Sequence, residues 1–190
     1  MGFLVVCAAI VLIPLLLLTL LFNALVRGRN ACDESWADID AELKRRYDLI
    51  PNLVATVQGY AKHERELLQR LTETRATAMA NHGSPQSQAG DENELIKSLR
   101  QVFAVAEGYP DLKANQNFLA LQTELANTED RIQRARRFYN ANVRDYQNRL
   151  QGFPSNLVAG AFHFADREFF EIEDAMQREA PAVKWSQPPP

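Results

Sequence analysis

The stretch from Asn115 to Leu150 constrains this chain more than any other. Its large side chains fall at Phe118, Leu121, Leu125, Ile132, Ala135, Tyr139, Val143, Tyr146 and Leu150. The steps are threes, fours and sevens, so these side chains share one face of a helix. No Gly or Pro interrupts the run. As a helix it is about 54 Å long at 1.5 Å per residue. One apolar stripe of that length is unstable alone in water and requires helices packed along all of it. The fold class is therefore all-α, and the expected architecture is an antiparallel, mostly four-helix bundle with long helices.

A second stretch fixes where that bundle lives. Gly2 to Phe22 reads GFLVVCAAIVLIPLLLLTLLF and carries no charge. A helix of that length spans about 31 Å, the thickness of a bilayer's hydrocarbon layer. A cleaved signal peptide fits poorly, because no Lys or Arg precedes the apolar run and no small-residue cleavage site follows it. Pro14 is tolerated in such a helix. Arg27 and Arg29 follow closely, with Lys44, Arg45 and Arg46 beyond. The positive-inside tendency then puts the N-terminus outside and the large domain in the cytoplasm, anchored in an inner membrane. Three parts result: 1–27, a transmembrane helix and its flank; 28–164, a helical bundle; and 165–190, an acidic and then Pro-rich tail.

Within the bundle, Trp36, Ile39, Leu43, Ile50, Leu53, Val57, Tyr60, Leu67 and Leu71 repeat helically from Ala31 to about Asn81. Pro51 removes the bond to the carbonyl of Tyr47. Leu43, Ile50 and Val57 keep their seven-residue phase across it, which predicts one kinked, continuous helix. Residues 81–90, NHGSPQSQAG, read as a loop. A helix follows over 91–107, stopped by Gly108 and Pro110. After the long helix, Ser155 is a plausible N-cap for a short helix over 156–164. Beyond it Phe169, Phe170, Ile172 and Met176 allow a short amphipathic helix among Asp166, Glu168, Glu171, Glu173 and Asp174, and residues 186–190 have no means of ordering themselves.

The phrase KRRYDLIPNLVATVQGYAKHE, Lys44 to Glu64, resembles the hallmark of the LemA family of bacterial membrane proteins. A second, Tyr109 to Asn156, is similar to that family's second half. The resemblance covers roughly residues 1–164, and the tail departs from it. It implies a membrane-anchored helical bundle with a cytoplasmic domain and no established enzymatic activity. A family relative in magnetic bacteria is tied to an intracellular membrane compartment, which implies membrane organisation.

Chemistry is sparse. His63, His82 and His163 have no second ligand at metal spacing, and the bundle lacks paired Glu-x-x-His motifs. Cys7 and Cys32 lie in unlike settings and do not read as a disulfide framework. No metal, cofactor or catalytic residue is assigned, and the chain does not read as an enzyme. Arg45, Arg46, Asp48 and Asn52 cluster around Pro51; Arg137, Asn140, Arg144 and Asp145 cluster on the long helix beside Arg136. An anion or nucleotide pocket is one reading. Without a Gly-rich phosphate loop, interhelical polar pairs that fix register are the stronger one. Arg131, Arg134, Arg136 and Arg137 lack exposed interleaved aromatics, and the net charge is −3, so nucleic acid is not an expected partner. A solvated face is the default for this window, and anionic lipid the lesser option.

Phe22, Trp36 and Leu119 fall off the main stripes, which points to helix packing between copies, with Trp36 the candidate interface residue. The expected partners are thus the lipid bilayer, further copies of the chain and other membrane proteins. The reading is a self-assembling scaffold that organises membrane or membrane proteins. A monomeric membrane-tethered adaptor, docking a partner such as a membrane protease, is the alternative.

Overall fold

The computed structural model describes residues 1–172, apart from the side chains of residues 4–6. The described chain is all-α, with six helices: α1 (Gly2–Gln58), α2 (Arg65–Ala80), α3 (Pro85–Ala106), α4 (Pro110–Lys113), α5 (Gln116–Gln151) and α6 (Ser155–Ala161). Residues 162–172 form an extended strap. The expectations for Glu173, Asp174, Met176 and residues 186–190 lie outside the described residues.

Helix α1 is a single unbroken helix of 57 residues with Pro14 and Pro51 inside it, about 85 Å long. The apolar span and the first helix of the domain are thus one body. Pro51 does not break it: Arg75 of α2 donates from Nε to the Tyr47 carbonyl at 2.7 Å. That is the carbonyl left without its helical donor by the proline. A cross-helix bond replaces the missing internal one, and it ties α2 to α1 at the same place.

The expected 50-residue helix ends at Gln58, not near Asn81. Gly59 is the only glycine between Ala31 and Asn81. The chain turns there through bonds from the Tyr60 and Ala61 amides to the Val57 carbonyl, at 3.0 and 2.8 Å. Tyr60 is consequently exposed while Ala61 is buried, so the seven-residue step from Tyr60 to Leu67 crosses a turn. The expected loop over 81–90 is helical from Pro85. Ser84 caps α3 through the Ser87 amide and Pro85 occupies its first turn, a pairing suited to a helix start because proline lacks an N–H there anyway.

The core is built mainly from α1 against α5, rather than evenly from four helices. Asn115 caps α5, accepting from the amides of Asn117 and Phe118 at 2.9 and 3.1 Å. Phe118, Leu125, Ile132, Tyr139, Val143, Tyr146 and Leu150 are buried, and Leu121 and Ala135 half-buried. Facing them are Leu25, Cys32, Ile39, Leu43, Ile50, Leu53 and Val57. The antiparallel register is pinned at both ends. Arg149 donates to the Ala24 carbonyl at 3.0 Å, and Asn115 donates to the Tyr60 hydroxyl at 2.9 Å. The 36 residues of α5 therefore match the length of α1 between its apolar span and Gln58. The two helices come close at Gly28, where an added Cβ would stand 3.0 Å from the Tyr146 ring. Helices α2 and α3 form a hairpin against the far half of α1. Helix α3 stands off α5, which leaves a groove between them.

Helix α6 is shorter than expected. It closes at His163, whose φ is 55°, with bonds from the Phe164 amide to the Ala159 carbonyl and from the His163 amide to the Gly160 carbonyl. This is a Schellman closure. The strap that follows is extended, not an amphipathic helix, because α5 side chains take its backbone groups. Tyr139 donates to the Glu168 carbonyl at 2.8 Å, Gln147 to Arg167 at 2.8 Å and Tyr146 to Ala165 at 3.1 Å. Asn140 makes two bonds to Phe170, accepting from its amide and donating to its carbonyl. Phe170 and Ile172 point into the core while Glu171 is exposed, the alternation of a strand-like segment.

Candidate functional site

The apolar span is the first functional element. Ile10 is 66% exposed and Leu16 62%, and the helix is long and apolar enough to cross a membrane. A core helix of a soluble protein would be covered by other protein; this one is not. Leu21, Phe22 and Leu25 already pack into the domain, and the helix runs on without a joint. A helix with such an exposed apolar surface interacts with a lipid bilayer.

The second element is a buried polar cluster midway along the domain. Arg46, on α1, is 1% exposed. Its guanidinium pairs with Glu92 of α3, which is fully buried, and with Glu129 of α5 at 2.8 Å. Tyr47 donates its hydroxyl to Glu92. Gln88 donates to the Tyr47 hydroxyl at 3.1 Å, to the Ala78 carbonyl at 3.0 Å and to Glu92 at 3.2 Å. Three helices thus meet on one guanidinium and one carboxylate, and Gln88 ties in a fourth through the Ala78 carbonyl. Burial, with the Glu92 charge beside it, pushes the Tyr47 phenol well above its ordinary range, so it stays a neutral donor. Arg46 and Glu92 are almost wholly buried, but Arg46 and the partly exposed Glu129 line the groove between α3 and α5. A slip of either helix would leave a buried charge uncompensated.

The residues singled out in the sequence are distributed as follows. Arg46 is at the centre of this cluster. Arg45 is exposed and pairs only with Glu42 on its own helix, at 3.8 Å. Asp48 and Asn52 are exposed, as are Arg137, Arg144 and Asp145. Asn140 serves the strap. The two expected groups therefore do not join: they lie at different heights along the α1–α5 pair. Trp36 is half-buried, its ring 5.3 Å from both Tyr139 and Phe170, so its face is spent on packing within the chain. Phe22 is likewise in contact with Phe162 and Phe164, whereas Leu119 is exposed. Glu92, Gln88 and Tyr47 were missed. The signal for Glu92 was its place on the inward face of α3, three residues before Leu95.

The groove between α3 and α5 encloses about 690 Å³. Ile96, Leu99, Phe103 and Leu125 floor it, and Arg100, Arg134 and Arg137 stand at its rim. Among the described residues, no three His, Cys, Asp or Glu side chains come together to hold a metal ion. Both cysteines are free. Burial raises the Cys32 thiol pKa, which keeps it in the unreactive protonated form.

Span, strut and buried polar core define a membrane-associated helical protein whose domain is built on one long antiparallel pair. The LemA family model matches residues 35–185, and the chain belongs to the LemA family. The match takes in the strap and most of the tail, which the sequence phrases alone had left outside the resemblance. The chain is 29% identical over 153 residues to Protein LemA of Metamycoplasma hominis, covering 80% of this chain and 69% of that one. It is 22% identical over 179 residues to Magnetosome protein MamQ 2 of Paramagnetospirillum magneticum, covering 81% of this chain and 66% of that one. Magnetosome protein MamQ of Magnetospirillum gryphiswaldense is 21% identical over the same length. The chain thus spans just under two thirds of the length of these magnetosome proteins.

Proposed function

We propose that this protein is a non-enzymatic, self-assembling scaffold that organises membrane or membrane proteins. It sits in the inner membrane with its N-terminus outside and its domain in the cytoplasm. The observation that carries the reading is α1. A helix continuous from the lipid span to the far end of the domain makes span and domain one stiff body. Repeated side by side, such struts give a regular array, and a flexible tether would not. The Arg46–Glu92 pair at the heart of the polar cluster is buried, which suits a structural part. The likeness to proteins named for the magnetosome supports a membrane-organising role.

The arginine-rimmed groove favours one other reading, the monomeric adaptor that docks a membrane protein such as a protease. Giant vesicles containing the fluorescently labelled full chain separate the two. A scaffold gathers into slowly diffusing patches without any added protein. Uniform fluorescence with single-span diffusion at all densities contradicts self-assembly and leaves the adaptor.

A further inference from the structure

We propose that the α5–α6 turn and the outer face of α6 form a second membrane-contacting surface, which seats Phe153, Leu157 and Phe162 in the interfacial layer of the bilayer that α1 crosses. Residues 152–164 contain no Asp, Glu, Lys or Arg. Phe153 is 82% exposed, Leu157 64% and Phe162 52%. Three large apolar side chains exposed on one short segment are unusual for a surface facing water. The inner face of the same helix is spent: Val158 and Ala159 are buried against the rest of the domain.

The position of this face says what covers it. The Phe162 ring lies 4.9 Å from Phe22 and the Phe164 ring 5.5 Å from it. Phe22 closes the apolar run Gly2 to Phe22, with the first charge, Arg27, five residues on, so α6 sits beside the end of the lipid-crossing segment. Leu18, one turn before Phe22 on the same side of α1, is also exposed. The charges nearby are mostly basic, with Asp166 the acidic exception in the cleft that Phe22, Arg29, Phe162 and Phe164 line. Arg27 and Arg29 are exposed on α1, with Arg29 5.7 Å from the Phe164 ring. Arg149 reaches the Ala24 carbonyl. The headgroup layer is roughly 5–7 Å deep on each side, or about four helical residues, so Arg27 and Arg29 sit at and just beyond its outer edge, where their long side chains reach back to the phosphates. Aromatic and leucine side chains at the hydrocarbon edge with arginines just above them are the chemistry of an interfacial contact with anionic lipid.

The inference rests on α1 crossing the membrane, and it adds a consequence. One span leaves a domain free to tilt and rotate. A span with a lateral foot fixes both, and α1 carries that attitude to the far end of the bundle.

The test uses the full chain in vesicles of phosphatidylcholine and phosphatidylglycerol. An environment-sensitive fluorophore is placed on Leu157→Cys in a Cys7→Ser, Cys32→Ala background. Separate samples carry it on native Cys7 and on Gln101→Cys. Nitroxide lipids labelled near the glycerol or near the acyl terminus are the quenchers. The Leu157 probe should lose more emission to the shallow nitroxide, the Cys7 probe more to the deep one, and the Gln101 probe should lose none. Quenching at Cys7 without quenching at 157 overturns the foot and leaves the span intact. In that case red-shifted emission at 157 means the face meets water, and blue-shifted emission means it packs on another copy. An unquenched Cys7 probe removes the span itself and the foot with it.

Discussion

Changing Glu92 to Ala should be among the most damaging single substitutions in the domain. Glu92 is fully buried and accepts from the Arg46 guanidinium, the Tyr47 hydroxyl and the Gln88 amide. Its removal leaves the Tyr47 hydroxyl without an acceptor and takes one from Gln88 and one from Arg46, a cation 1% exposed whose Nε already has no acceptor. Glu129 remains, but its side chain is 36% exposed, so its charge is partly screened by water. Breaking a buried ion pair from one side costs about 3–5 kcal/mol. For a chain of this size that corresponds to a melting temperature lower by roughly 10 °C. The assay is far-UV circular dichroism during heating of the full chain in mild detergent. The surface control is Glu94→Ala, which removes an exposed contact to Lys97 and should leave the melting temperature where it is. The double variant Arg46→Met, Glu92→Leu should recover most of the loss, since replacing both charges by apolar side chains of similar size removes the desolvation cost along with the attraction. If Glu92→Ala melts like the surface control, the cluster contributes nothing to register and the reasoning fails.

Ile132 is fully buried at the middle of the α1–α5 seam, and Ile132→Ala should cost about 2–5 kcal/mol in the same heating experiment; a loss below 1 kcal/mol would mean that the seam is not the core. Pro51→Ala should keep the helix content of the parent, because α1 is already continuous and Arg75 already satisfies the Tyr47 carbonyl; a large fall in ellipticity would contradict an unbroken helix. Raising the pH should destabilise the domain from about pH 10, the ordinary tyrosine value. Burial raises the Tyr139 phenol to about 12 and Tyr47 further, so their contribution is intact below the unfolded value and is lost as pH climbs through the folded one. Melting temperatures between pH 8 and 12 should fall, and less steeply in Tyr47→Phe.

Much of the fold could be read from apolar spacing. The α5 stripe, its Asn115 cap and the span needed only periodicity, because each is long and free of Gly and Pro. Pro51 was legible as a residue inside a helix, since the seven-residue phase survived it. What spacing could not show was the turn at Gly59. There the phase carried across a break by chance, and the lone glycine was the better signal. The start of α3 was hidden because Ser84 and Pro85 also belong to the composition of loops. The strap was misread because its backbone partners are side chains of α5, more than a dozen residues away in sequence. The same distance hid the polar cluster. Arg46 was visible among basic neighbours, but Glu92 and Glu129 become its partners only once α3 and α5 are placed against α1. The even four-helix packing expected from the stripes gives way to a dominant pair, because α3 meets α1 and α2 and leaves the arginine-rimmed groove toward α5.

The central claim is self-assembly of a rigid, membrane-anchored strut, and the native mass of the full chain extracted in mild detergent tests it most directly. Multi-angle light scattering that separates protein from detergent should give a protein mass many times the 21.5 kDa of one chain. A protein mass equal to a single chain, with the helical signal intact, would contradict the scaffold.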